Sequence, residues 1–175
     1  KNGHISHSSA TAASLYFFET AYQFSSPLRR YPIHTLIEFD TTSNKPTPIA
    51  TFTARPRQAP IRHKNSLYIL TEDTQNGLNN IANLGYGSGS AIRRIDLDTG
   101  TETIILSGLI TAFSVLKNGD IIYAKDTESG LASTLWRLNN DTTTLLGTAS
   151  QRIGQILPYK SGLIVLARPE TGSWD

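Results

Sequence analysis

The chain has 175 residues, of which 38% are hydrophobic and 17% are charged, and its formal net charge is +2. This composition is typical of a folded globular protein and excludes a disordered polyelectrolyte. The charge is too small to indicate nucleic-acid binding, and no apolar run approaches the roughly 20 residues of a transmembrane helix.

Cysteine is absent from the sequence, which excludes disulfides, thiolate metal sites and a thiol nucleophile. A chain without thiols suits an oxidising compartment. We therefore expect a periplasmic, cell-surface or extracellular location.

Four apolar runs of strand length recur along the chain, each after a turn-like stretch. They are anchored on Leu15, Leu67, Ile121 and Leu163, at intervals of 52, 54 and 42 residues. Alternating segments follow the first three runs at 36–40, 92–96 and 135–139, and further apolar segments close the hairpins at 48–52, 103–106 and 143–146. The runs themselves are nearly all apolar, which predicts strands that are buried on both faces.

A weaker strand precedes three of the apolar runs, at residues 59–64, 111–117 and 154–160, and each ends in a lysine followed by a turn. The segment around Ile5 is the remainder of such a strand in the first unit. Four short antiparallel strands about every 43 residues, with no helical pattern between them, match the β-propeller repeat. A β-sandwich also has short strands, but it would not repeat this register three times.

The predicted fold is therefore all-β: a β-propeller of four-stranded antiparallel blades, present as a partial ring. The whole of residues 1–175 forms part of one propeller domain. Its blades span approximately 1–54, 55–107, 108–148 and an incomplete 149–175. Because a closed propeller needs about four to eight blades, we expect the remaining blades to come from a longer chain or a second chain.

Two hairpins carry a family resemblance. Residues 92–102 and the turn at 117–123, with a related form at 135–141, resemble repeats of the TolB-like bacterial propellers, which have six to eight blades. The resemblance covers most of 55–175 and, more loosely, 1–54. It implies a protein-interaction platform, often in the cell envelope, and implies no particular activity. Long insertions in the first two blades and variable turns depart from the family pattern.

Three motifs suggest chemistry and are better explained structurally. His4 and His7 form an H-x-x-H pair without identifiable further ligands, so we expect no metal site. Residues 96–100 resemble the start of a calcium loop but lack its later acidic ligand, and we interpret them as a tight turn. The glycine-rich stretch 85–90 precedes a strand rather than a helix, which predicts a loop and no phosphate or cofactor site.

No catalytic set is visible in the sequence. There is no G-x-S-x-G motif, and no pair of carboxylates stands out from the others. We expect no cofactor. A non-enzymatic role is favoured, and an enzymatic one stays open.

The two longest predicted loops, 20–34 and 73–90, emerge on the same face of a propeller as the connectors between blades. Long loops often carry function, and aromatic and arginine residues are enriched at binding hot spots. The candidate binding residues on this face are Tyr22, Phe24, Arg29, Arg30, Tyr31, Arg55, Arg57, Asn79, Asn80 and Tyr86. The alternative is that these are solvated loops whose aromatic side chains pack against the blades.

Three functions fit these observations. The first is a non-enzymatic interaction module of a larger cell-envelope or surface protein, which binds a protein or an acidic glycan through the long-loop face. The second is a propeller hydrolase or lyase, or the propeller domain of a peptidase. The third is a structural component of a surface layer or filament.

Overall fold

Every regular element in the described part of the chain is a β-strand. The computed structural model describes residues 4–11, 13–26, 29–72, 89–127 and 132–167, with residues 24–26 and 29–31 described by their backbone alone. The strands form three four-stranded sheets and a two-stranded one, and the strand pairs with a defined register are antiparallel. The prediction of an all-β chain with four-stranded antiparallel sheets is confirmed.

Each sheet is built from strands that are consecutive in the chain. The first sheet contains β1 (His4–Ala10), β2 (Ser14–Ser26), β3 (Arg29–Asp40) and β4 (Lys45–Phe52). The second contains β5 (Ile61–His63), β6 (Ser66–Glu72), β7 (Ser90–Asp96) and β8 (Glu102–Gly108). The third contains β9 (Ile110–Val115), β10 (Ile121–Asp126), β11 (Ser133–Asn139) and β12 (Thr142–Ala149), and β13 (Ile153–Tyr159) pairs with β14 (Gly162–Ala167).

Short turns fix the registers of the hairpins. In three two-residue turns the first turn residue has positive φ: Lys64 at 52°, Asn140 at 44° and Lys160 at 51°. Positive φ is characteristic of the turns that match the twist of paired strands. The prolines of β4, Pro46 and Pro48, lie on a strand at the edge of its sheet, where a missing N–H group is tolerated.

The chain divides into two compact units, residues 1–75 with 92–106 and residues 76–91 with 107–175. In the first unit, side chains of the first two sheets form one hydrophobic cluster. Its fully buried members are Tyr16, Phe18 and Leu36 of the first sheet and Leu67, Ile69 and Ile95 of the second. Burying one such side chain contributes about 1.5–3 kcal/mol, so this contact holds the two sheets face to face.

The second unit has its own core. Ala112 of β9 and Ile122 and Ala124 of β10 pack against Ile153 and Ile156 of β13. The third sheet and the β13–β14 hairpin therefore also pack face to face. No helix in the described ranges is long and apolar enough to cross a membrane.

The structure differs from the sequence prediction in two places. Within the segment 20–34, predicted as a loop, residues 20–26 lie in β2 and residues 29–34 lie in β3, and the two strands pair with each other from Thr20 with His34 out to Ser26 with Arg29. In addition, β6 and β10 are buried as predicted, whereas most of β14 is exposed to solvent. Among the described residues β14 has a paired strand on one side only, whereas β6 and β10 are paired on both sides.

Candidate functional site

A two-stranded ribbon extends from one end of the first sheet. In the described part of the chain, β1 pairs with β2 as far as Thr20, and β4 pairs with β3 as far as His34. The pairing of β2 with β3 continues beyond both, through residues 21–26 and 29–33. We call these residues the β2–β3 ribbon. Among the described residues no strand lies along either edge of the ribbon, so the backbone groups of both edges have no strand partner there.

Five of the predicted binding residues lie on this ribbon. Tyr22 is 58% exposed, and its backbone pairs with Pro32. The backbones of Phe24, Arg29, Arg30 and Tyr31 also lie in the ribbon, whereas their side chains are outside the described part. A large aromatic side chain is thus presented to solvent at the position where sequence reasoning placed a binding surface.

Arg55 and Arg57 lie in the connector that follows the first sheet, and Pro56 between them pairs with Thr71 of β6. The N–H of Arg57 donates to the carbonyl of Leu70 at 2.9 Å, and the N–H of Glu72 donates to the carbonyl of Arg55 at 2.8 Å. The Arg57 guanidinium forms an ion pair with Glu72 at 3.6 Å.

Arg55, unlike Arg57, is exposed to solvent. The fixed backbone of the connector therefore positions one ion-paired arginine and one exposed arginine two residues apart.

His34 lies at the base of the ribbon and is 6% exposed. Its Nδ1 atom shares a hydrogen bond of 2.8 Å with the Thr20 hydroxyl, and its buried Nε2 atom has no hydrogen-bond partner. Burial, then the positive charge of Arg55 and the nearby His7, lower the pKa of His34 from its ordinary value of 6.5. The imidazole is therefore neutral at pH 7.

His7 contributes to the same electrostatic environment. It lies at an irregularity in the pairing of β1 with β2 and has a positive φ of 48°. Partial burial and the charge of Arg55 lower its pKa as well. Arg55, which lowers the pKa of both histidines, is therefore the positive charge at the base of the ribbon, and a positive charge there favours acidic groups.

The remaining predicted residues, Asn79, Asn80 and Tyr86, lie outside the described residues, together with residues 85–88 of the glycine-rich stretch. Among the described residues, no three His, Cys, Asp or Glu side chains lie close enough together to hold a metal ion. The calcium-like stretch forms a turn, in which an Asp96 carboxylate oxygen accepts hydrogen bonds from the N–H groups of Asp98 (3.1 Å) and Thr99 (2.9 Å).

Sequence reasoning missed Thr20 and His34, although a signal for His34 is present. His34 lies six residues before Asp40, the last residue of β3, and Ser90 and Ser133 lie six residues before the last residues of β7 and β11. The three residues therefore occupy the same place in successive repeats. The first repeat has a histidine where the next two have a serine. This difference becomes visible only when the third strands are aligned with one another, because the apolar runs do not include the position.

The two serines show what this position does elsewhere in the chain. The Ser90 hydroxyl accepts a hydrogen bond from the N–H of Ile110 at 2.8 Å, and the Ser133 hydroxyl accepts one from the N–H of Ile153 at 3.0 Å. Ile110 and Ile153 each begin the strand that follows the serine's own sheet. The residue at this position thus ties the end of one sheet to the start of the next.

No protein-family model and no curated protein matches the chain. The resemblance to TolB-like propellers therefore rests on the quoted hairpins alone and stays a prediction.

Proposed function

We propose that the chain is part of a β-propeller that serves as a non-enzymatic interaction module of a larger cell-envelope or surface protein. The proposal places its binding surface, for a protein or an acidic glycan, at the β2–β3 ribbon and the base of that ribbon. The observation that carries it is the ribbon itself, which extends beyond both neighbouring strands and presents Tyr22 to solvent.

The sheet pattern supports the propeller part of the proposal. Successive four-stranded meanders are the blades of that architecture. Within the first unit, two such sheets pack face to face, and in the second unit the third sheet packs on the β13–β14 hairpin in the same way. Propeller blades bury their inner strands between neighbouring sheets, which agrees with the complete burial of the side chains of Leu67, Ile69 and Leu70 in β6.

The chemistry at the base of the ribbon supports an acidic ligand. Arg55 is exposed, and no carboxylate is paired with it in the described structure, whereas the neighbouring Arg57 is paired with Glu72. Arginine binds carboxylate and sulfate groups through paired N–H donors, and the exposed Tyr22 of the ribbon adds apolar contact area with a polar tip. These two side chains form the centre of the proposed surface.

A binding measurement with two defined probes tests the proposal. The probes are a sulfated heparin oligosaccharide and a glutamate-rich peptide, measured by calorimetry at low ionic strength. We expect one of them to bind, and the double variant Tyr22→Ser/Arg55→Glu to bind at least about tenfold more weakly, because truncating hot-spot residues typically costs ~1–2 kcal/mol each.

The matched control is Arg94→Glu, which changes an exposed arginine on β7 of the same unit. It reproduces the change in net charge without touching the ribbon. The proposal is wrong if this control weakens binding as much as the double variant does, or if neither probe binds to the wild type.

A further inference from the structure

The β14 strand has the sequence of a buried strand in an exposed position. Its residues Leu163, Ile164, Val165, Leu166 and Ala167 are all apolar. Ile164 is 40% exposed, Val165 38% and Leu166 46%. Contiguous exposed apolar side chains are uncommon on proteins that have no partner there.

The repeat explains what is different about β14. Its counterparts β6 and β10 begin after the corresponding turn and are inner strands of four-stranded sheets, each paired on both sides. Both are almost entirely buried. In the described structure β14 pairs with β13 alone, so its second edge carries backbone groups without a strand partner.

The register shows which backbone groups these are. Tyr159 and Gly162 face each other across the two-residue turn, so they form a hydrogen-bonded pair, and such pairs alternate along an antiparallel ladder. Pro158, which has no N–H, faces Leu163 in the next pair, where no bond to β13 is formed. The N–H and C=O groups of Leu163 and Val165 therefore point away from β13.

One side of the hairpin is already fixed. Ile153 and Ile156 of β13 are buried against β9 and β10, and Leu163 is partly buried against the same cluster. An added strand would extend a sheet that is already seated on a hydrophobic face. The free edge of β14 is thus held in position rather than left on an isolated hairpin.

The third strands of the second and third sheets show the chemistry that fits this edge. β7 and β11 both begin with serine, followed by an apolar residue at the third position, arginine at the fifth, an apolar residue at the sixth and Asp or Asn at the seventh. In the third sheet, Leu138 of β11 faces Ile121 of β10, and Trp136 faces Tyr123. The counterparts of Ile121 and Tyr123 in β14 are Leu163 and Val165.

We propose that the free edge of β14 binds a β-hairpin whose first strand has this serine, apolar, arginine, apolar, Asp/Asn pattern and pairs antiparallel with β14. Its apolar sixth residue lies opposite Leu163 and its fourth residue lies opposite Val165. Binding by strand addition takes its affinity from main-chain hydrogen bonds and its specificity from the side chains on either face. The proposal concerns the second unit and does not depend on ligand binding at the β2–β3 ribbon.

A peptide that carries this pattern is available from the chain itself. Residues 133–149 contain β11 and β12 with their turn. The peptide, labelled at its N-terminus, is titrated against the 175-residue chain up to about 1 mM, the effective concentration that a short flexible linker provides. A peptide of the same composition with scrambled order is the control.

Two readouts report the expected result. Fluorescence anisotropy should show saturable binding of the β11–β12 peptide and not of the scrambled one. Hydrogen exchange at the amides of Leu163 and Val165 should slow by at least about tenfold when the peptide is bound, since a new ladder bond protects an amide. No binding, or equal protection by the scrambled peptide, overturns the proposal.

A pair of variants locates the site. Val165→Lys places a charge on the free edge, which natural proteins use to block strand addition, and should weaken peptide binding by at least about tenfold. The matched control Ile104→Lys changes a residue of β8 that is 55% exposed, and should bind like wild type. If both variants bind equally well, or if the chain dimerises through β14 and the peptide does not compete, the proposed occupant is wrong.

Discussion

His34 is a buried side chain at a position where the other repeats have serine. Its Nδ1 atom is bonded to Thr20, and its Nε2 atom is buried without a partner. A buried polar atom that loses its bond to water costs about 1–3 kcal/mol. Such a cost is uncommon in folded proteins, which makes this residue a sensitive reporter of the first unit.

The first prediction concerns the pH dependence of stability. The pKa of His34 and that of His7 are both lowered from 6.5 in the fold. Between pH 6.5 and the lowered pKa values the unfolded chain binds more protons than the folded chain. The contribution of the two histidines to the free energy of unfolding is therefore complete above pH 6.5 and is lost as the pH falls below it. We expect His34→Gln to reduce this fall, measured by urea unfolding at pH 7.5 and pH 5.5.

The carboxylates do not obscure this effect. Hydrogen bonds from Ser43 and the backbone lower the pKa of Asp40, and similar bonds from Thr99 lower that of Asp96, both from 3.8. Their contribution is lost only as the pH falls below 3.8. A wild type and a His34→Gln variant with identical losses between pH 7.5 and 5.5 would contradict the assignment to His34.

At the scale of the elements, the two-residue turns place non-glycine residues at positive φ. Lys64, between β5 and β6, has φ of 52°. The left-handed region costs most L-residues about 1–2 kcal/mol, whereas Asn tolerates it because its short polar side chain bonds locally. The lysine at this turn is therefore mildly strained.

We predict that Lys64→Asn stabilises the chain by ~0.5–1 kcal/mol, as the relief of left-handed strain would give. Thermal unfolding at constant pH measures the change. Lys117 is the matched control, because it also lies in the turn between the first two strands of its sheet but is not among the described residues with positive φ, and Gly119 takes that conformation instead at 96°. An equal gain from Lys117→Asn would show that the turn conformation is not the cause.

The strands could be predicted where an apolar run and a turn signal coincide. Residues 66–72 were expected to form a strand, because Asn65 and Ser66 mark the turn and residues 67–71 are all apolar, aromatic or β-branched. They form β6. The β2–β3 ribbon could not be predicted in this way. Its residues Tyr22, Gln23, Pro32 and Ile33 have strand propensity, but the segment contains two prolines and two adjacent arginines, which are typical of loops.

The candidate site was predicted only in part. Tyr22 and Arg55 were selected because aromatic and arginine residues favour binding surfaces, and both are exposed. Thr20 and His34 were not selected, since their roles arise from the pairing of two strands that the sequence analysis treated as a loop. Cross-strand partners become visible only when the register is known.

At the scale of the whole molecule, we call the contact between the end of one sheet and the start of the next a joint. The joints are not equivalent. Pro56 is the counterpart of Ile110 and Ile153, because each of them pairs with the same position of the strand that carries the apolar run in its sheet. The residues at that position are Thr71, Lys125 and Ala167, respectively. The two isoleucines donate their N–H groups to Ser90 and Ser133. Proline has no N–H, so the first joint lacks the donor that the other two joints use.

A double-mutant cycle tests this comparison. We predict that His34→Ser and Pro56→Ala together restore the hydrogen bond of the other joints, so that the double variant is more stable than the sum of the single changes by ~0.5–1.5 kcal/mol, the usual net value of one hydrogen bond. Denaturant unfolding of the wild type and the three variants gives the coupling. Additivity within ~0.3 kcal/mol would mean that the two positions do not form the joint.

The order of strands within the sheets has a kinetic consequence. Each four-stranded sheet uses strands that follow one another in the chain, so the hydrogen-bonding partners of a newly made strand are close behind it in sequence. β-proteins fold slowly mainly when their pairings join distant segments. During synthesis, each meander of this chain has all four of its strands available before the next begins, which shortens the time that sheet edges are exposed to other chains.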